Sequence, residues 1–329
     1  MINQPPPYLP AEQNPALPPA QPGRIKKRYV FLAGAIYGLL MRLAFGLPFF
    51  LSGEKSTTAS EAMLTSFIVL VPLIIGALTV YFPGDNKRSL FFSVFAPWIP
   101  ILMFILGTAI LLIEGSICIA MAAPLFLVMG SLGVMNSLLL LPLLLGSWER
   151  NQTMPVMIEK SDASVWINAK PEVIWHLINN AEAIQPTEMQ QGLAYKMGVP
   201  YPKSALTVKT DTGRVRKLRW DKGVRFDEPI THWQENRYIR WNYSFPAGAI
   251  PPDALDEHVV IGGKYFDLED TSYLLTPEKG GTRLSIKVTY RVSTQFNWYA
   301  NFWGRLLVDD AAHTILAFYK HRAEIVSSP

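Results

Sequence analysis

Hydrophobic and polar positions alternate on two different scales along the chain. Residues 30–51 are apolar apart from Arg42, and residues 63–82, 90–113 and 117–146 carry no charged side chain. Each run reaches the roughly 20 apolar residues that a helix needs to cross a bilayer core. The pattern therefore predicts a four-helix transmembrane region over residues 29–147. Its fourth run is longer than a membrane requires, which predicts a kink at Pro124 or Pro142 or an end lying along the interface. Splitting that run would add a fifth, short span.

Beyond residue 155 the scale changes. Residues 164–167 read as a short strand, and a helix starts at Pro171 and Glu172 with an apolar stripe at Val173, Ile174, Leu177 and Ile178. Residues 180–212, with three prolines, read as a long loop or a small helical insert. Strands follow at 214–220 and 223–227, around the turn Asp221-Lys222-Gly223. Residues 238–245 set Ile239, Trp241, Tyr243 and Phe245 on one face, and 282–291 do the same with Leu284, Ile286, Val288 and Tyr290. Period-two alternation with one apolar face predicts half-buried antiparallel strands. Gly280 and Gly281 mark a hairpin from a preceding strand near 271–275. A long amphipathic helix over 299–325 ends the pattern through Trp303, Leu306, Leu307, Ile315 and Phe318.

This order is α+β. The economical packing lays the long helix across the concave face of a curved antiparallel sheet, a helix-grip arrangement over residues 155–329. Such a grip encloses an apolar space, for which Trp241, Tyr243, Phe245, Tyr273, Ile286, Val288, Tyr290, Trp303 and Leu307 are the candidate lining residues. The competing account is that these rings simply fill a core.

Composition sharpens the division. The chain is 50% hydrophobic and 17% charged, and nearly all of the charge lies outside residues 29–147. Residues 1–28 form a Pro-rich tail, expected to be disordered, ending in the basic cluster Arg24, Lys26, Lys27 and Arg28. That cluster, with Lys87 and Arg88 after the second run, predicts a cytoplasmic N-terminus. An even number of spans then places residues 155–329 in the cytoplasm, beneath a bacterial inner membrane; a fifth span would reverse that. The net charge of +4 resides mostly in the tail, so no basic patch suggests nucleic acid. Cys118 is the only cysteine, which excludes an intrachain disulfide and a multi-cysteine zinc site. In an apolar run it reads as a small buried hydrophobe. No metal or cofactor is expected.

The phrase VWINAKPEVIWHLI (165–178), followed by ITHWQENRYIRWNYSF, SYLLTPEKGGTRLSIKVTYRV and the terminal helix, resembles the START-like superfamily, which includes polyketide cyclase/dehydrase and lipid-transport proteins. The resemblance covers about residues 160–325. It implies a helix-grip fold and an apolar ligand, but no shared catalytic signature. Residues 180–212 and 246–262 depart from the minimal pattern and are expected to rim the cavity mouth.

Few residues carry candidate chemistry. Arg42 and Glu114 are ionisable groups within the apolar region, where a charge usually faces a partner; they read either as part of a proton or ion path or, in preference, as packing groups in which Arg42 pairs with Glu114 or Glu54. Asp253, Asp256, Glu257 and His258 share one loop, read either as an acid/base or ligand group or, in preference, as a solvated acidic loop. Asp309 and Asp310 stand one turn before His313 on the terminal helix, consistent with a surface ion pair. Asp267 and Glu269 share a strand face with Tyr265 and Tyr273; facing inward they are the best paired carboxylates, and facing outward they are ordinary surface. Asp267, Glu269 and His258 are thus the polar cavity candidates. The sequence favours a membrane-anchored protein that binds or presents a hydrophobic small molecule, with membrane lipids as partners and no catalysis. A cyclase-like or dehydratase-like enzyme and a protein-interaction domain are the alternatives.

Overall fold

A computed structural model describes residues 27–52, 63–81, 89–133, 140–211 and 213–327. The Pro-rich tail, Glu54, Lys87 and Arg88 lie outside the described residues. The apolar half folds as helices α1 (Lys27–Ser52), α2 (Val71–Tyr81, entered through a π-helical turn at Ser66–Leu70), α3 (Leu90–Phe95), α4 (Trp98–Ile110), α5 (Ser116–Leu132) and α6 (Leu141–Glu149). Two of its helical stretches, Arg28–Phe45 and Leu90–Ile110, are long and apolar enough to cross a membrane; Ser66–Tyr81 and Ser116–Leu132 are apolar but shorter.

Helix directions follow from the contacts. Gly34 packs against Pro100, Gly38 against Phe104 and Arg42 against Glu114, so α1 and α4 run in parallel. The pairs Phe45/Phe67 and Gly38/Ile75 run the other way along α2, which is antiparallel to α1. At the crossing of α2 and α5, a side chain on Gly76 would run into the backbone carbonyl of Gly130, so only glycine permits this approach. The fourth apolar run does not form one kinked helix. It ends as α5 near Gly133, beside Leu73 and Ala77, and after residues 134–139 the chain comes back as α6. Glu149, at the end of α6, accepts hydrogen bonds from the Thr65 and Ser66 amides at 2.6 and 2.9 Å, where its carboxylate complements the exposed N–H groups of a helix start.

The second half is an eight-stranded antiparallel sheet ordered β1-β8-β7-β6-β5-β4-β3-β2. Its strands are β1 (Val156–Ile167), β2 (Asn180–Ala181), β3 (Pro202–Thr210), β4 (Gly213–Trp220), β5 (Arg225–Gln234), β6 (Tyr238–Asn242), β7 (Phe266–Glu278) and β8 (Gly281–Ser293). Helix α7 (Pro171–Asn179) starts where Pro171 and Glu172 predict. Helix α10 (Asn297–Ser327) runs across the concave face, burying Ala312, Leu316, Phe318, Tyr319 and Ala323. The domain is thus a helix-grip fold. Lys279 and Gly280, both at positive φ, make the β7–β8 turn that a two-residue hairpin demands.

Two stretches differ from the sequence expectation. Strand β1 begins at Val156, eight residues earlier than the expected strand, and pairs with β8 along its whole length. It is an edge strand whose first half has no strongly apolar face, so period two is faint there. Residues 180–212 hold a small helical insert, α8 (Pro186–Met189) and α9 (Leu193–Lys196), as one of the two readings had it, but also the strands β2 and β3, which neither reading had. Pro202 opens β3, one of the positions at which a strand tolerates proline.

Candidate functional site

Sheet and α10 enclose an apolar cavity of about 230 Å³. Of the nine expected lining residues, Trp241, Tyr243, Tyr273, Ile286, Val288 and Leu307 line it, and Phe245, Tyr290 and Trp303 do not. Phe245 packs on Phe226 with ring centroids 5.1 Å apart. The Tyr290 ring lies against Phe266, and its hydroxyl donates to Asn301 Oδ1 at 3.2 Å. Trp303 contacts Phe302 on α10 itself.

The polar candidates separate as well. Leu268 faces the cavity, so Asp267 and Glu269 turn to the opposite face, where Arg291 stands 3.9 and 3.7 Å from them. The paired carboxylates are therefore outer-face groups. Instead the cavity holds an ion pair that strand periodicity conceals. Arg216 on β4 and Glu228 on β5 are directly opposed across the strands and joined at 2.5 Å. They are 5% and 2% exposed. Arg216 also donates to the Ile178 carbonyl at 3.1 Å and to the Tyr319 hydroxyl at 3.0 Å. Burial pushes the Glu228 carboxyl up to about 7 even though the Arg216 charge and hydrogen bond pull it down. Both residues sit in phase with apolar neighbours: Arg216 with Leu218 and Trp220, Glu228 with Phe226 and Ile230. A charge in the apolar phase of a strand is the signal that could have found them. The Trp220 indole N–H, also at the cavity wall, is buried with no hydrogen-bond acceptor.

The helical half closes the other side of the cavity. Met63, Ile117 and Met121 join its lining, as does His258. A second apolar cavity of about 90 Å³ lies among the helices. It shares Met63, Met121, His258, Val259 and Ala300 with the first, so the two spaces meet.

At that junction lies a buried polar cluster. Arg42 pairs with Glu114 at 2.5 Å. His258 Nδ1 is 2.9 Å from Asp256 Oδ1, 3.2 Å from Cys118 Sγ and 3.7 Å from Glu114 Oε2. The 253–258 loop is thus not simply solvated: Asp253 is exposed, while the side chains of Asp256 and His258 are buried against the helices. Nor is Cys118 only a small hydrophobe. Burial raises the Asp256 carboxyl, but the His258 hydrogen bond and charge hold it at about 2. Burial lowers His258, and Asp256 and Glu114 more than offset it, so its imidazole titrates above its ordinary range. The expected ion pair of His313 does not form: His313 Nδ1 faces the Asp309 carbonyl at 2.8 Å, and the Asp310 carboxylate accepts from the Ala194 amide at 3.0 Å.

No family model and no curated protein matches the chain. Solved structures align with its second half. A protein from Thermus thermophilus is 19% identical over 52% of this chain and 100% of its own, with a TM-score of 0.33. The di-domain ARO/CYC StfQ of the steffimycin biosynthetic pathway is 10% identical over 52% of both chains, also at 0.33. The Aha1 dimer from Colwellia psychrerythraea is 14% identical over 52% of this chain and 99% of its own, at 0.28. Likenesses this distant carry no argument about activity. The helix-grip assignment stands on the strand order and on the seat of α10.

Proposed function

We propose that this is a membrane-embedded, START-like helix-grip protein that binds or presents a hydrophobic molecule without transforming it. The observation that carries the reading is the apolar cavity whose wall is completed by Met63, Ile117 and Met121 of the helical half. Those helices are apolar outside as well as inside: Leu32, Ile36 and Leu40 of α1 and Leu102, Leu106 and Ile110 of α4 are exposed. A face of that kind suits lipid rather than water. Trp148, Trp298 and Phe302, exposed near the junction of the two halves, suit the interfacial zone. A bilayer would then adjoin the second cavity, giving an apolar ligand a route to the first that avoids water.

The volume suits one acyl chain or a small ring system rather than a whole phospholipid, because drug-sized pockets begin at about 300 Å³. The Trp220 N–H offers the ligand one polar handle. Native mass spectrometry of the full chain in mild detergent, with solvent extraction of what co-purifies, tests the reading. An apolar molecule at one per chain, lost when Val288→Trp or Leu307→Trp fills the cavity, is the expected result. A chain that is empty as purified and takes up no fluorescent fatty acid overturns it.

The cyclase-like reading keeps one foothold, Glu228, a cavity carboxyl titrating near neutrality. Its engagement with Arg216 argues for a structural role and keeps this reading second.

A further inference from the structure

We propose that Glu114, Cys118, Asp256 and His258 form a four-ligand site for a divalent transition metal of the zinc class, clamping the helix-grip domain to the helical half. The donor atoms of Glu114, Cys118 and His258 all lie within 4.8 Å of one another. From His258 Nδ1 the other three donors stand at 2.9, 3.2 and 3.7 Å. A tetrahedral ion bound to nitrogen and oxygen at 2.0–2.2 Å and to sulfur at 2.3 Å needs ligand-to-ligand edges of about 3.3–3.7 Å. The edges from His258 to Cys118 and Glu114 have nearly that size, and Asp256, bonded to His258 through Oδ1, would turn to complete the set.

Three further observations point to a cation. The Asp256 carboxylate is buried and hydrogen-bonds both His258 and the Cys118 side chain, an anionic group already drawn into the cluster. Arg42 Nε holds Glu114 Oε1, which leaves Oε2 turned toward His258, as an outer partner orients a ligating carboxylate. The charges balance too. Two carboxylates and a thiolate against one divalent ion and the Arg42 guanidinium sum to zero, as a buried site requires. When the ion binds, the thiol proton leaves to solvent, and the proton that His258 Nδ1 shares with Asp256 leaves too or is taken up at Nε2. Thiolate and imidazole together favour zinc, cobalt or iron over magnesium or calcium.

The placement gives the site a structural consequence. Glu114 and Cys118 flank the start of α5, and Asp256 and His258 come from the loop between β6 and β7. His258 borders both cavities. A bound ion would fix the two halves to each other where those spaces meet.

The test uses the full chain in detergent, stripped with chelator and titrated with Co²⁺, and it reads the metal whether or not the cavity holds a ligand. One equivalent is expected to bind with the intense visible bands of a tetrahedral ion and a thiolate-to-cobalt charge-transfer band, and Zn²⁺ should displace it. Cys118→Ser should remove the charge-transfer band, and Arg42→Gln should weaken affinity about 10- to 100-fold. If Cys118→Ser fails to fold, His258→Gln should abolish stoichiometric binding. Absence of stoichiometric Co²⁺ binding overturns the site, as does a cobalt spectrum that Cys118→Ser leaves unchanged.

Discussion

At the scale of residues, the Arg216–Glu228 pair decides the chemistry of the cavity floor. Removing one partner of a buried pair strands a charge without solvent, typically at a cost of about 3–5 kcal/mol. Arg216→Met and Glu228→Gln are therefore each expected to lower the unfolding midpoint strongly. The Arg216→Met/Glu228→Leu double variant should recover most of that loss, because two apolar side chains leave nothing unpaired; denaturant titration of all three variants checks this. The pair also has a pH signature. Glu228 titrates near 7 when folded and near its ordinary 4.5 when unfolded, so the folded chain binds more protons between those values. Its contribution is fully present below about 4.5 and is lost as pH rises to about 7. The melting temperature of the wild type should carry that downward slope, and the double variant should lack it. A slope retained in the double variant would assign the titration to another group.

Among the elements, glycine rather than hydrophobicity sets how the helices pack. The α2–α5 crossing brings Gly76 against the backbone of Gly130, and apolar periodicity cannot reveal such an approach because it depends on what the side chain lacks. Gly76→Val should push α5 away, loosen the helical half and expose its interior; faster proteolysis within 63–133 reads the effect. Unchanged proteolysis and melting would show that the crossing tolerates a side chain. Strands teach the converse lesson. β8 and β6 were legible with their facing because one face is uniformly apolar; β4 and β5 were legible as strands around the Asp221–Gly223 turn, but the charge each carries in its apolar phase hid which face is inner, and β1 lies at an edge where neither face is fully buried. Asp267 and Glu269 show why facing could not be read from residue types: a bulge between Leu268 and Asp270 resets the alternation of β7.

Across the whole molecule, the decisive change is in direction. Arg42 is near the end of α1 that meets Glu114 and His258, and Lys27 lies about 22 Å back along the helix, given 1.5 Å per residue. The start of α1 is thus at the far end of the helical half from the sheet. The chain passes toward the sheet in α1 and α4, away from it in α2 and α5, and returns through 140–149. Among the described residues the chain thus runs along the helical half five times, the last time through the nine-residue α6. The start of α1 and the helix-grip domain therefore stand at opposite ends of the helical half. Lys27 and Arg28, the first two residues of α1, stand at the end remote from the sheet. If the helices span a bilayer, the positive-inside rule places the helix-grip domain outside the cytoplasm. An alkaline phosphatase fused at the C-terminus, active only outside the cytoplasm, should be active; an inactive fusion alongside an active cytoplasmic reporter would restore the even count.

The sequence by itself determined the division into an apolar helical half and an α+β half, the strand-helix order of the latter, and the aromatic supply of its cavity. These follow from local periodicity and composition, which the chain carries residue by residue. Tertiary structure alone decided that the long fourth run turns back, that Arg216 meets Glu228, and that Glu114 and Cys118 converge with Asp256 and His258 across more than a hundred residues of chain. Each is a contact between segments whose local patterns are silent about one another, and burial gives each its chemical consequence by removing the water that would otherwise screen the charges.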